Sequence, residues 1–345
     1  MLEQILTDRK VPALLSREEM LDVMQKEVYG YLPPKPDTLE WTVQDNYIDN
    51  FCAGKAAAQR VELTAKWGNK QFTFPFVAVI PTAPGPHPFF IHINFRPDVP
   101  DRYMPTEEIV DNGFAVLSFC YKDVTSDDND FTNGLAGVLY ENGQRGLHDA
   151  GKIAMWAWAA QRVMDYAQQE SRLDKSCAIV CGHSRLGKTA LFCGATDERF
   201  TFTYSNDSGC SGAAITRDKV GENVEVISSV FPFWFCLNYR RYAGREHEMP
   251  FDQHYLIASV APRYAYVASA KEDSWADPDS EMLSCVAATP AYKALGLDGF
   301  ICEDRLPEAG DRWHAGNIGY HLRPGLHYFG REDWNTVLDF IKSKR

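Results

Sequence analysis

Residues Ile179 to Phe192 read IVCGHSRLGKTALF, and two incompatible patterns fit them. As G-x-x-x-x-G-K-[ST], Gly182 to Thr189 would form a phosphate-binding loop in which Lys188 meets a nucleotide. As a strand, a sharp turn carrying Ser184 and a helix, the same residues would form the nucleophile elbow of a serine hydrolase. Either pattern needs an apolar strand before it and a helix after it, so the rest of the chain has to decide.

Outside this stretch, strands and helices alternate. QRVELTAKW (59–67) and FTFPFVAVIP (72–81) predict two strands joined by a hairpin turn at GNKQ. HPFFIHINF (87–95) and GFAVLSFCY (113–121) are apolar runs of strand length. Ile153, Trp156, Ala157, Ala160, Met164 and Ala167 recur at helical spacing, which marks Trp156 and Trp158 as packing residues. CAIVC (177–181), FTFTYS (200–205), YAYVASA (264–270) and NIGYHL (317–322) predict further strands, with a helix from about Gly187 and a last amphipathic helix in REDWNTVLDFIKSK (331–344). SREEMLDVMQKEVYGYLPPKP opens on a Ser16 cap and closes on prolines, as an N-terminal helix does. Such alternation predicts one α/β domain over 1–345, a mostly parallel sheet covered on both faces as a three-layer sandwich, with the N-terminal helix and first strands in 1–80. About 58 residues separate FTFTYS from YAYVASA, too many for a simple crossover. The aromatic-rich VFPFWFCLNYRRY in that gap predicts an insertion over about 208–262, either folded over the active-site end or a peripheral decoration.

A formal charge of −12 on 345 residues argues against nucleic acid or an anionic membrane as the main partner. The charged N-terminus has no signal-like apolar core, and no run approaches the roughly 18 apolar residues of a membrane span. Nine cysteines without C-x-x-C spacing predict free thiols in a reducing compartment. A cytoplasmic location is the expectation, although a secreted chain trimmed of its signal would look the same. No H-x-H or C-x-x-C pair has metal spacing, so neither metal nor cofactor is expected.

A phosphate loop also needs an acid after a second strand, which Asp207 and Asp273 both supply, but nucleotide folds usually begin with that loop and here several strands precede it. Bulky His183, Arg185 and Leu186 are unhelpful for cradling phosphate with backbone amides. The hydrolase pattern demands Ser, then acid, then His, each following a strand. Ser184 follows AIVC, Asp207 follows FTFTYSN, Asp273 follows YAYVASAKE, and His327 follows NIGYHLRPGL. An imidazole must accept the proton of a weakly nucleophilic serine hydroxyl, and an acid must orient that imidazole. The hydrolase arrangement therefore decides the fold as α/β-hydrolase, with nucleotide binding by Gly182–Thr189 as a distant alternative.

G-x-S-x-G would put glycine at 186, where Leu186 stands; Gly187 comes one residue later. GHSRLGK resembles the G-C-S-R-x-G-K elbow of the glucuronoyl esterases, carbohydrate esterase family 15. AMWAWAAQRVMDY, NDSGCSGAAITR, FPFWFCLNYRRY, MPFDQHYLIASVAPR and EDSWADP extend the resemblance over most of the chain. The resemblance implies Ser184 as nucleophile, His327 as general base and Arg185 at the oxyanion hole, by its backbone amide and its charge. It also implies that Lys188 bonds the hydroxyls of a uronic-acid ring and that Trp275 helps hold the sugar. Asp207 in SNDSG stands where many members have the glutamate of Q-E-S-G, and Asp273 stands where most hydrolases of this fold carry the acid. Both remain candidates, with Asp273 preferred because an aspartate at 207 is one methylene short. His183 replaces a cysteine that fungal members use in a disulfide, His321 and His254 are expected to be structural, and His314 is unassigned.

The expected activity is hydrolysis of carbohydrate esters, foremost 4-O-methyl-glucuronoyl esters on small or oligosaccharide substrates of xylan degradation, through an acyl-enzyme on Ser184. An acetyl esterase with the same triad is the alternative, and a silent carbohydrate-binding relative would result if neither aspartate reaches His327.

Overall fold

The computed structural model describes residues 1–345 and centres on one twisted sheet of ten strands. Chain order gives β1 Thr38–Ile48, β2 Ala56–Trp67, β3 Lys70–Pro81, β4 His87–Asn94 and β5 Ala115–Cys120, then β6 Leu173–His183, β7 Phe202–Asn206, β8 Tyr264–Ala270, β9 Arg312–Trp313 and β10 Ile318–Arg323. The spatial order is β1-β2-β3-β5-β4-β6-β7-β8-β10-β9. From β5 to β10 every pair is parallel, and the antiparallel β1–β3 meander and short β9 close the two edges. The exchanged places of β4 and β5 set β6 at the middle of the sheet, where both of its neighbours are parallel.

Burial on both faces explains why the central strands read as continuous apolar runs. Successive side chains point to opposite faces. Phe89, Ile91 and Ile93 of β4 and Ala178 and Val180 of β6 enter the larger core, while Phe90, Cys177, Ile179 and Cys181 enter the smaller one. The helices Lys152–Gln169 and Arg185–Thr196 pack in the larger core, and the last helix, Arg331–Ser343, covers the other face through Trp334, Val337, Leu338, Phe340 and Ile341. Trp156 and Trp158 are wholly buried in this packing. The N-terminal helix Arg17–Met24 is held by a capping box between Ser16 and Glu19. No helix is long and apolar enough to cross a membrane.

The two longest elements that escape the sequence pattern are an edge strand and a helix. No strand is predicted over β1, whose residues are largely exposed on both faces because it hydrogen-bonds only to β2 at the sheet edge. No helix is predicted over Pro278–Lys293, where Pro290 interrupts the periodicity; Asp277 caps it instead. The segment expected as an insertion divides in two. Helix Val224–Val230 and a series of short turns form a cover, whereas helix His254–Val260 is buried in the larger core as an ordinary crossover helix.

The elbow itself begins two residues earlier than expected. β6 runs to His183, Ser184 adopts φ 59° and ψ −126°, and the helix starts at Arg185. A Cβ on Gly182 would lie 2.2 Å from the Leu186 carbonyl oxygen, and one on Gly187 would lie 2.8 Å from the Asn206 carbonyl oxygen. Closeness to β7, not a positive φ, requires glycine at 187. Leu186 is fully buried in the larger core. Two variants separate these demands. Gly182→Ala is expected to lose about 3 kcal/mol or more, as the turn must open. Leu186→Gly, although it spells G-x-S-x-G, is expected to lose a similar amount to the cavity and the helix glycine. Urea midpoints at constant m-value check both; a stable Leu186→Gly protein contradicts the assignment.

Candidate active site

Ser184, Arg185, Lys188, Asp207, Asp273, Trp275 and His327 come from four separate loops, and all line one cavity of about 310 Å³ at the carboxyl end of the sheet. Asp273 follows β8 and is almost buried, and its Oδ2 accepts from His327 Nδ1 at 2.6 Å. Burial would raise the Asp273 carboxyl, but the hydrogen bond and charge of His327 outweigh it and leave the group below its ordinary value. An ionised acid thus fixes the imidazole tautomer and leaves Nε2 free for a proton. The Ser184 hydroxyl and His327 share the cavity without a direct hydrogen bond, a separation common before substrate binds.

Asp207 does not take the same place. Its carboxylate comes within 4.8 Å of the His327 ring nitrogens without bonding to them, and it lies 3.4 Å from Arg323 Nη2. The peptide of Asp207 is pinned at φ 42° by its N–H to the Ala268 carbonyl, and its Oδ2 lies 4.0 Å from His183 Nδ1. Burial, then the nearby Glu281 and Asp333 charges, push its carboxyl well above the ordinary range. The two candidate acids therefore separate by geometry and by charge: Asp273 is the hydrogen-bonded one.

The phosphate-loop pattern fails on this geometry. Such a loop must span several residues between strand and helix to surround phosphate. Here Ser184 alone joins β6 to its helix, and Lys188 is buried, donating through Nζ to the Ser208 carbonyl with Glu222 at 3.9 Å. Burial lowers the Lys188 ammonium, while Glu222 opposes that shift.

Four residues of the site carry no sequence signal of their own role. Asp127 accepts from Arg185 Nη1, from the Trp234 indole N–H at 2.8 Å and from the Tyr121 hydroxyl at 2.8 Å. The Arg185 guanidinium is thereby held 4.8 Å from the Trp234 ring centroid, with its Nε left unpaired. Trp234 and Phe231, stacked 3.9 Å apart, form a wall of the cavity, and Glu222 supplies a carboxylate. The aromatic density of VFPFWFCLNYRRY marks the segment that folds here, without marking which side chains reach the serine. Trp275 keeps 55 % exposure beside them.

Four other histidines make their hydrogen bonds outside the Asp273–His327 pair. His183 is buried, pushed down to about 3 chiefly by burial and then by the adjacent His327, and donates through Nδ1 to the Asn206 side chain at 2.6 Å. His321 donates to Asp333 at 3.1 Å, His254 bonds the Pro12 carbonyl at 3.0 Å, and His314 bonds the Tyr266 hydroxyl at 2.7 Å, away from the cavity. His183, Asp207 and His327 offer donor atoms within 4.8 Å of one another. An ion there would have to take the His327 Nε2 that the serine needs, so the donor set suits proton transfer better than metal binding.

Below the cavity, Glu281 is wholly buried and accepts from Ser269 Oγ at 2.6 Å, the Gly209 amide at 2.8 Å and Ser208 Oγ at 3.3 Å. Burial raises its carboxyl to about 7 against the hydrogen bonds from Ser269 and Gly209. It organises the turn whose Ser208 carbonyl receives Lys188.

Comparisons with known proteins point to one family of esterases. The family model "Glucuronyl esterase, fungi" matches residues 63–296. A carbohydrate esterase from an unknown prokaryotic organism is 40% identical over 236 residues, 68% of this chain and 54% of that protein. A 4-O-methyl-glucuronoyl methylesterase of Podospora anserina is 26% identical over 297 residues, covering 82% of this chain and 57% of its own. The solved glucuronoyl esterase from Solibacter usitatus superposes with a TM-score of 0.86 at 31% identity, over 95% of this chain and 91% of that one. This chain spans just over half the length of the curated relatives it matches.

Two measurements probe the site. Asp127→Ala is expected to lower kcat/KM on a generic ester such as 4-nitrophenyl acetate roughly ten- to a hundredfold, mainly through kcat, because Arg185 loses its anchor. An unchanged kcat contradicts that role. Glu281 gives a pH signature. Below pH 4.5, its ordinary value, the folded and unfolded chains both keep its proton; between there and about 7 only the folded chain does, so stability falls as pH rises through that window. Glu281→Gln lacks this loss, so its stability relative to wild type should improve by about 3 kcal/mol from pH 4.5 to 8 in urea titrations. A pH-independent difference contradicts the assignment.

Proposed function

The chain belongs to the glucuronoyl esterase family, and from that membership we propose that it is a serine esterase hydrolysing glucuronoyl esters of carbohydrates. The observation that carries the proposal is the Asp273–His327 pair hydrogen-bonded at 2.6 Å beside the elbow serine, in a cavity that also holds Arg185 and Lys188. Ser184 Oγ attacks the ester carbonyl as His327 Nε2 takes its proton, and Asp273 balances the imidazolium. The negative charge that develops on the carbonyl oxygen meets the free backbone N–H of Arg185, first residue of its helix, and the guanidinium fixed by Asp127. One well-placed donor there contributes roughly 3 to 4 kcal/mol to the transition state. His327 returns the proton to the departing alcohol, and water then releases the acid from Ser184 by the same steps reversed.

The sugar is read from the walls. Lys188 donates and Glu222 accepts, the pair of functions needed for ring hydroxyls, and the exposed Trp275 indole offers a face to sugar C–H groups. The 4-O-methyl-glucuronoyl specificity in the names of relatives such as the Podospora anserina enzyme supports the same acyl group. All nine cysteines are free thiols, which supports the reading of a chain at work in a reducing compartment.

Benzyl glucuronate and an acetylated xylo-oligosaccharide assayed side by side test the proposal. Turnover of the glucuronate is expected, with Ser184→Ala losing roughly a thousandfold or more. Acetate release alone would retain the mechanism and overturn the acyl specificity.

A further inference from the structure

Ser184 sits between two cavities. The second, of about 330 Å³, shares only Ser184, Arg185 and His327 with the first and continues along Phe95, Arg96, Arg102 and Tyr103. An ester at Ser184 has two halves. Lys188 and Glu222 suit the hydroxyl-bearing acyl half to the first cavity, so the alcohol half falls in the second.

The cavities differ in charge. In the first, Lys188 and Arg185 stand among Asp207, Glu222 and Asp273. The wall of the second holds Arg96, Arg102 and Arg185 and no carboxylate. Two of these cations are already matched: Arg185 by Asp127, and Arg96 by the buried Asp101 at 3.0 Å. Arg102 has no ion-pair partner. Its guanidinium lies 4.6 Å from the Tyr103 ring centroid and donates to the Tyr103 hydroxyl at 2.7 Å. The Tyr328 hydroxyl donates to the Arg102 carbonyl at 3.1 Å and ties this loop to the one carrying His327. Tyr103 is 5.3 Å from Tyr328 and 5.6 Å from Phe95 between ring centroids, with the ring planes tilted by 46° and 55°, so the unmatched charge stands beside an aromatic cluster.

We propose that the second cavity is a leaving-group site for alcohols that carry a carboxylate on a flat body, with the ring against Tyr103 and the carboxylate at Arg102. This rests on the esterase function proposed above. The acyl carbon–oxygen bond breaks, the acyl group stays on Ser184, and the alcohol leaves with the proton that His327 took from the serine. Arg102 pairs with a charge that does not change during these steps, so its effect lies in KM.

The test compares 4-carboxybenzyl with benzyl glucuronate. Wild-type enzyme should prefer the carboxylated ester in kcat/KM by roughly two- to fivefold, the size of one exposed charge pair. That ratio should fall with added salt, approach one in Arg102→Gln and return in part in Arg102→Lys. A ratio of one or below in wild type, or a ratio untouched by Arg102→Gln, overturns the proposal. Binding of 4-(hydroxymethyl)benzoate against benzyl alcohol, followed by saturation-transfer NMR, reads the cavity without any glucuronoyl turnover. Preference for the acid that depends on Arg102 supports the site even if the acyl specificity is different, and equal binding overturns it. Failure to cleave either ester would count against the glucuronoyl reading alone.

Discussion

The turn at Ser184 is the constraint on which the rest depends. A parallel strand has to end, reverse and become a helix within one residue, and only backbone contact makes room for that. Gly182 abuts the Leu186 carbonyl and Gly187 abuts the end of β7, while Ser184 accepts a positive φ that its side chain alone would not favour. The surrounding sheet holds this conformation in place: the Ser184 amide donates to the Asn206 carbonyl, so the nucleophile is bonded directly to the neighbouring strand. Ser184, the Arg185 amide and Lys188 then sit at the start of one helix and keep a fixed relation to each other.

Charge around this turn is arranged in layers. Asp273 is kept ionised by its histidine, whereas Asp207 and Glu281 are raised by burial a few residues away. The contrast comes from partners and not from residue type. Asp273 has an imidazole to bond, while Asp207 has an arginine at 3.4 Å that it shares with Asp333. Asp333 in turn accepts from His321, Arg323 and the Gly330 amide, joining β10 to the start of the last helix and steadying the loop that holds His327. A carboxylate next to His327 is therefore not automatically its partner.

Sequence alone made the sheet and the candidate site residues legible for a common reason: both repeat local patterns. Apolar runs of strand length, a strand-turn-helix around Ser184 and the order Ser, Asp, His survive in one dimension. Edge strand β1 left no such pattern, because a strand paired on one side and wet on both faces needs no alternation. Asp127 and Glu222 were illegible for a different reason. Their meaning lies in contacts across 58 and 34 positions, to Arg185 and Lys188, and nothing near them in the chain distinguishes them from solvated acids. The choice between Asp207 and Asp273 stayed open because both follow strands; the side-chain length that separates them matters only once the distance to His327 exists.

The cover over the cavity contributes walls and no reacting atom. Glu222, Phe231 and Trp234 belong to it, whereas Ser184, His327 and Asp273 all sit on loops of the sheet. Much of the aromatic wall thus lies outside the stretches that carry Ser184, Asp273 and His327, although Lys188 and Trp275 share those stretches. Substitution in the cover can reshape one wall of the cavity while leaving the Asp273–His327 pair untouched. One tether limits that freedom: Trp234 and Arg185 hang on the same carboxylate of Asp127, so this tryptophan cannot drift without disturbing the arginine.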